Sequence, residues 1–125
     1  KQLARLYWYT VEFGLIREAG GLRIYGAGIV SSYAESVFAL DSESPNRIGF
    51  DLARVMRTDY RIDDFQQNYF VIDSLDQLLE TTVNTDFAPL YAANAALPPI
   101  PIADILPADA VITSGTQDYA LAKSG

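Results

Sequence analysis

Residues 6–16 read Leu-Tyr-Trp-Tyr-Thr-Val-Glu-Phe-Gly-Leu-Ile and carry a single charge, on Glu12. The glutamate follows Trp8 and directly precedes Phe13, in a run of large apolar side chains. Removing a carboxylate from water beside such rings costs free energy unless a positive group meets it. The partner is therefore either an arginine of the chain or a metal ion, and the pattern leaves both open.

The same segment has helical spacing. Residues four apart lie on one face of an α-helix, so Ala4, Trp8 and Glu12 form one column. A second face has the spacing of a buried amphipathic helix. This face consists of Leu3, Leu6, Tyr7, Thr10 and Val11. Gly14 is a suitable end for the helix.

Composition limits the classes of function. Hydrophobic residues make up 50% of the 125, which suits one ordinary domain or part of a larger one. The net charge of −7 argues against a nucleic-acid partner, because such a partner requires a basic surface. No apolar run reaches the ~20 residues of a membrane span. The lack of cysteine fits a cytoplasmic protein.

The lack of histidine excludes more kinds of functional site than any other feature of the composition. It excludes, within this chain, a Ser-His-Asp triad, a Cys-His pair and any histidine-ligated metal site. A non-haem iron oxygenase binds its metal through two histidines and one carboxylate. This sequence offers only the carboxylate.

Local signals predict an α+β fold that is mainly helical with a small β-hairpin. Residues 15–25 read as the hairpin, and Gly26-Ala27-Gly28 as a tight turn where backbone approaches a ligand or another segment. Ser31 and Ser32 precede a helix over residues 33–40 and are suitable N-caps. Residues 41–47 read as a solvated loop. Further predicted elements are helices near 51–57 and 75–82, begun by Asp51 and Ser74, and a strand near 69–72. The inward face of the helix near 75–82 is predicted to consist of Leu75, Leu78, Leu79 and Thr82.

Two predictions concern the ends of the chain. Residues 86–125 are rich in proline and alanine, with five of the six prolines beyond residue 88. We expect this tail to wrap an existing surface or to be partly disordered, and we separate it from residues 1–85. The sequence also begins inside a helical pattern, which predicts that it is the C-terminal piece of a longer protein.

A family resemblance rests on three segments. They are residues 6–15, residues 25–33 (Tyr-Gly-Ala-Gly-Ile-Val-Ser-Ser-Tyr) and, more loosely, residues 65–71 (Phe-Gln-Gln-Asn-Tyr-Phe-Val). These segments resemble the pterin-dependent aromatic amino acid hydroxylases, with the nearest likeness to the bacterial enzymes that act on phenylalanine. The resemblance covers about residues 1 to 82, the C-terminal part of the catalytic domain. The quoted residues leave the choice among Phe, Tyr and Trp as substrate open.

The resemblance implies a role for each matching residue. It implies that Glu12 joins two upstream histidines as a ligand of Fe(2+). It also implies that five residues lie near the substrate, L-phenylalanine: Trp8, Phe13, Gly28, Ser31 and Glu35. Ala4 and Tyr7 match positions near the tetrahydropterin, and Tyr69 approaches the mouth of the pocket. The implied reaction uses O2 to hydroxylate phenylalanine to tyrosine.

Two hypotheses follow. In the first, the chain is part of an iron- and pterin-dependent phenylalanine 4-monooxygenase and is inactive without the upstream part of the same domain. In the second, it is a non-catalytic interaction module in which Glu12 forms a structural salt bridge. Neither hypothesis includes a nucleic acid or a membrane as partner.

Overall fold

The computed structural model describes residues 1–124 and has an α+β architecture, as the sequence predicts. The helices are α1 (Gln2–Tyr7), α2 (Ala27–Val30), α3 (Tyr33–Asp41), α4 (Leu52–Met56), α5 (Leu75–Asn84), α6 (Phe87–Ala95) and α7 (Asp118–Ser124). A π-helical turn, Trp8–Glu12, directly continues α1. The strands are β1 (Leu15–Glu18), β2 (Gly21–Ile24), β3 (Asn46–Gly49), β4 (Asn68–Ile72) and β5 (Val111–Thr113). No helix of residues 1–124 is both long and apolar enough to cross a membrane.

The strands form one mixed five-stranded sheet in the order β2-β1-β4-β3-β5. The predicted hairpin is its β1–β2 edge, paired antiparallel with Leu15 opposite Ile24. Strands β1 and β3 both run parallel to the central strand β4. Strand β5 then pairs antiparallel with β3 at the other edge. The hairpin is thus one edge of a larger sheet rather than an isolated unit.

The core lies on both faces of β4, in which every residue is buried. Successive side chains of a strand point to opposite faces of the sheet. Phe70 accordingly packs with Leu6, Tyr9 and the apolar residues of α4. Tyr69 and Val71 pack on the opposite face with Leu15, Ile29 and Ala39. Helices covering both faces explain why residues 69–72 of β4 are all aromatic or aliphatic, as in buried parallel strands.

The predicted helix starts are confirmed by local hydrogen bonds. Asp51 accepts from the backbone N–H of Arg54 at 3.1 Å, at the start of α4. Ser74 accepts from the N–H of Gln77 at 3.0 Å, at the start of α5. Ser32 accepts from the N–H of Glu35 at 3.2 Å, at the start of α3. Such caps satisfy N–H groups that have no partner inside the helix.

The prediction of a solvated loop over residues 41–47 is wrong in part, because Asp41 ends α3, Ser44 and Pro45 are buried, and residues 46 and 47 begin the buried strand β3. The Arg47 guanidinium donates to the carbonyls of Ala39 and Ser42, both at 2.7 Å, at the end of α3. The Asn46 side chain donates to Asn68 Oδ1 at 2.7 Å. Two polar side chains are thus buried because their hydrogen bonds are made inside the chain.

Two predicted apolar faces are also wrong in part. In the first helix Leu6 and Thr10 are buried, but Leu3, Tyr7 and Val11 are exposed. Tyr9, outside the predicted face, is buried instead. In α5, which contains no buried residue, Leu75 and Leu79 are exposed, while Leu78 and Thr82 are half-buried. Each helix has an apolar face of the right period, but the sheet and α4 cover only part of it.

The C-terminal segment, defined here as residues 98–117, wraps the rest of the molecule. Ile100 forms a parallel bridge with Thr58, just after α4. The Asp109 carboxylate pairs with Arg54 at 3.0 Å, and their side chains are only 5% and 4% exposed. Strand β5 extends the sheet. The tail therefore contains ordered elements, α6, β5 and α7, that its composition did not predict.

Candidate functional site

The π-helical turn carries the predicted metal ligand at its last residue, Glu12. The N–H of Phe13 donates to the carbonyl of Trp8 at 2.8 Å, a bond spanning five residues instead of four. Such turns are rare and frequently lie at functional sites. The wider turn breaks the α-helical period between Trp8 and Glu12. The predicted column of Ala4, Trp8 and Glu12 assumed a regular α-helix, whereas its last turn is π-helical.

Close backbone packing holds the end of this turn. A side chain on Gly26 would collide with the Glu12 carbonyl and would place its Cβ 2.6 Å from the Gly14 nitrogen. A Cβ on Gly28 would lie 3.0 Å from both the Glu12 carbonyl oxygen and the Phe13 ring. The tight turn predicted at residues 26–28 is wrong in part, because Ala27 and Gly28 begin helix α2, but the predicted close approach to another chain segment is present. That segment is the one containing Glu12.

Glu12 is half-buried as a residue, and its carboxylate has no hydrogen bond or ion pair with any residue that the structure describes. The ion pairs among residues 1–124 use Arg5, Arg17, Arg54, Arg61 and Lys123, and their acidic partners are all aspartates. The arginine that the salt-bridge hypothesis requires is therefore not at Glu12 within these residues.

Three aromatic rings form a stack beside Glu12, called here the ring stack (Tyr60, Trp8 and Phe13). Trp8 lies 4.6 Å from Phe13 and 4.5 Å from Tyr60, between ring centroids, at interplanar angles of 30° and 19°. The Trp8 Nε1 is buried and has no hydrogen-bond partner among the described residues. Sequence reasoning identified Trp8 and Phe13 but missed Tyr60, since Tyr60 lies in a loop and has no local signal of contact with Trp8.

Ser31 and Glu35 make contacts inside the chain. Ser31 is exposed and donates to the Gly28 carbonyl at 3.0 Å. Glu35 is buried, and its Oε2 accepts from the Tyr69 hydroxyl at 2.6 Å and from the Gln66 N–H at 3.1 Å. Burial raises the pKa of Glu35, and the hydrogen bond from Tyr69 partly offsets that rise. Tyr69 is itself buried, and its hydroxyl donates its hydrogen bond to Glu35.

The positions predicted to lie near the pterin are accessible. Tyr7 is 56% exposed, and Ala4 lines an open cleft of about 640 Å³. The other residues lining this cleft are Lys1, Arg5, Asp59, Tyr60, Arg61, Ile62, Asp63 and Ile102. The Arg5 charge is already neutralised by Asp59 at 2.8 Å. A neutral, planar group would therefore meet little unbalanced charge from this pair.

A complete metal site is not formed by the described residues, among which no cluster of three His, Cys, Asp or Glu side chains occurs. Glu12 alone could supply one carboxylate ligand. The roles predicted for Glu12, Trp8, Phe13, Gly28, Ser31, Glu35, Ala4 and Tyr7 stay predictions. The structure brings Glu12, Phe13 and Gly28 into contact and stacks Trp8 on Phe13.

Comparison with known proteins identifies the family. The chain belongs to the biopterin-dependent aromatic amino acid hydroxylases, since the model of that family matches residues 1–89. The resemblance seen in the sequence is thereby confirmed, over slightly more residues than the predicted 1 to 82.

Individual relatives match beyond those residues. The phenylalanine-4-hydroxylase of Caulobacter vibrioides is 67% identical over 120 residues, which cover 96% of this chain and 40% of the relative. The human phenylalanine-4-hydroxylase is 36% identical over 84 residues, 67% of this chain and 18% of that protein. The cobalt-bound crystal structure of phenylalanine hydroxylase from Chromobacterium violaceum superimposes with a TM-score of 0.86 at 60% identity, over 89% of this chain and 40% of that one. The chain thus spans about 40% of the length of these bacterial relatives.

Proposed function

We propose that this chain is part of a phenylalanine 4-monooxygenase that converts L-phenylalanine to L-tyrosine with Fe(2+), tetrahydropterin and O2. Its family is defined as biopterin-dependent, and its most similar relatives include several named phenylalanine-4-hydroxylase. A cytoplasmic location, predicted from composition, stays a prediction. The remainder of the catalytic domain would be the partner of this segment.

The observation that carries the proposal is the free carboxylate of Glu12. Burying a charge without a partner is costly, so covering this carboxylate further would require a positive group beside it. Glu12 lies at the end of a π-helical turn held by Gly26, and no described cation meets it. A metal ion bound from outside this chain would supply the missing positive charge.

Glu12 would supply one of the three protein ligands that a ferrous ion has in such an enzyme. Non-haem iron oxygenases use two histidines and one carboxylate, and Glu12 would be that carboxylate. The histidines would come from the remainder of the protein, since this sequence contains none. When bound, iron and reduced pterin together supply the activation of dioxygen, with one oxygen atom going to the substrate ring and the other to the pterin.

The residues around Glu12 would then bind and orient the reactants. Trp8 and Phe13 would border the phenylalanine side chain with the part of their rings that stays accessible, since both residues are only half-buried. Gly28 keeps the space beside Phe13 open, because any side chain there would press on that ring. Ser31 would offer a hydroxyl to the substrate or to a ligand of the metal. Glu35 would border the amino acid, while its Oε2 remains bound to Tyr69.

Ala4 and Tyr7 would face the pterin. Both lie on the accessible side of α1, and Ala4 borders the open cleft. The exposed Tyr7 ring is available for stacking on a planar cofactor. The wall opposite these residues would come from the remainder of the domain.

The test uses a hybrid enzyme in which this chain replaces the matching segment of the Chromobacterium violaceum relative. We expect the hybrid to bind iron and to form tyrosine from phenylalanine in the presence of tetrahydropterin. In the hybrid, Glu12→Gln should lose both the iron and the activity. Glu18→Gln, at an exposed position of the hairpin, is the matched control and should retain both.

The isolated 125-residue chain provides a second control. With Glu12 as its one proposed iron ligand and no histidine, it should bind iron weakly or not at all and should produce no tyrosine. Tyrosine formation by the isolated chain, or full iron content in the Glu12→Gln hybrid, would contradict the proposed role of Glu12.

A further inference from the structure

Tyr60 is the outermost ring of the ring stack and comes from a loop far from Trp8 in the sequence. Its ring covers the face of Trp8 opposite Phe13, with a centroid separation of 4.5 Å. It also makes an edge contact with Tyr9 at 6.4 Å. The Trp8 indole is therefore fixed from both sides, by a neighbour in sequence and by a ring from another part of the fold.

The backbone on which Tyr60 stands is anchored at the preceding residue. The Asp59 carbonyl accepts from the buried Tyr9 hydroxyl at 2.5 Å. The Asp59 carboxylate accepts from Arg5 at 2.8 Å. The Asp59 N–H donates to the Ile100 carbonyl at 2.9 Å. The helix that leads into the π-helical turn and the C-terminal segment thus both hold the loop that presents Tyr60.

We propose that Tyr60 is a positioning residue for the hydroxylation, acting through Trp8 without touching the substrate. Its ring fixes the plane of the indole within the π-helical turn, and so fixes the turn that ends at Glu12. The inference rests on the proposed function, in which Trp8 faces the substrate and Glu12 the metal. The stacking face of Tyr60 is required, whereas its hydroxyl is not.

The placement of Trp8 can be tested directly because Trp8 is the single tryptophan of this chain. In the 125-residue chain, Tyr60→Leu should shift the tryptophan emission and increase its quenching by acrylamide, since one face of the indole loses its cover. Tyr60→Phe should leave both properties as in the wild type. Tyr91→Leu is the matched control, because Tyr91 packs against the same core without stacking on Trp8. Unchanged emission and quenching in Tyr60→Leu would overturn the inference.

The consequence for the reaction is measured in the hybrid enzyme described above. Tyr60→Leu should lower kcat by about ten- to a hundredfold, as expected when a binding group moves by ~1 Å or less. The amount of tyrosine formed per tetrahydropterin oxidised should fall as well. Loss of folded protein alone would lower both rates equally and leave this ratio unchanged. Tyr60→Phe should restore kcat and the ratio, and Tyr91→Leu should leave the ratio at the wild-type value.

The outcomes separate the two proposals. A wild-type hybrid that binds iron but forms no tyrosine would overturn the proposed function. An active hybrid in which Tyr60→Leu keeps the wild-type ratio would overturn only the role of Tyr60. An active hybrid in which Tyr60→Phe is as impaired as Tyr60→Leu would also overturn it, because the hydroxyl rather than the ring would then be responsible.

Discussion

Two acidic side chains of this protein have opposite surroundings. Asp109 is buried against Arg54, and it also accepts from the Leu106 N–H at 2.7 Å. Glu12 is half-buried and has no partner among the described residues. The contrast shows that the chain neutralises the carboxylate that fastens its C-terminal segment and leaves a free carboxylate on the π-helical turn. Pairing inside the chain is typical of a structural role, and the unpaired carboxylate is the one that we propose as a metal ligand.

The largest effect on stability should come from removing the acidic partner of the Arg54–Asp109 pair. Asp109→Ala leaves the Arg54 guanidinium buried without its counter-charge, and we expect the free energy of unfolding to fall by about 3–5 kcal/mol. Urea unfolding followed by circular dichroism measures this loss. Asp63→Ala is the control, since the exposed Arg61–Asp63 pair should contribute only ~0–1 kcal/mol. Equal losses in the two variants would show that the Arg54–Asp109 pair is not structural.

The next effect tests the backbone that constrains Glu12. Gly26→Ala introduces a Cβ into the Glu12 carbonyl and close to the Gly14 nitrogen, so the π-helical turn or residues 26–28 must move. We expect a loss of about 1–3 kcal/mol, the usual range for overpacking. Gly20→Ala is the control, because its Cβ would meet only the flexible end of Arg23 at 3.2 Å. A Gly26→Ala chain as stable as the wild type would mean that this contact does not hold the turn.

A smaller effect concerns Glu35, a carboxyl group that the chain buries with hydrogen-bond donors but no cation. Burial raises its pKa above the ordinary value of 4.5, so the folded state favours the protonated form. The stabilisation from that form is complete below the ordinary pKa and is lost as the pH rises through the raised pKa.

Glu35→Gln removes this titration. The unfolding free energy of the wild type, relative to the variant, should therefore decrease as the pH rises above 4.5. Denaturant unfolding of both proteins at several pH values measures the difference. A difference that stays constant with pH would show that Glu35 has no raised pKa.

The smallest effect on stability should come from replacing Glu12, the carboxylate without a partner. Glu12→Gln leaves no buried cation without a partner, so the free energy of unfolding of the metal-free chain should change by no more than about 0.5 kcal/mol. A structural salt bridge would predict a loss of about 3–5 kcal/mol instead. Thermal unfolding of the metal-free chain distinguishes the two hypotheses, and a large drop in Tm would favour the salt bridge.

Much of the local structure follows from the sequence because its causes are local. The caps at Ser32, Asp51 and Ser74 each bond an N–H three residues away. The hairpin has only two residues between its paired ends, Glu18 and Gly21. Gly21 adopts a φ of +120°, which favours glycine. Such signals require no knowledge of the rest of the fold.

Strand β3 and the C-terminal segment could not be predicted in the same way. Asn46 and Arg47 read as loop residues, since polar side chains are normally solvated. They are buried because Asn68, Ala39 and Ser42 satisfy them. Those partners are brought together only by the folded chain.

The candidate site, like the fold, was predicted from the sequence only in part. The sequence by itself identified the acid at Glu12, its aromatic neighbours Trp8 and Phe13 and the close approach of the glycines at 26 and 28, because these residues lie in segments whose order of residues resembles a known family. Only the tertiary structure decided that the helix becomes a π-helical turn, that no described arginine reaches Glu12, and that Tyr60 completes the ring stack. The physical reason is that hydrogen-bond caps and tight turns depend on neighbouring residues, whereas burial, charge pairing and ring stacking depend on which distant segments pack together.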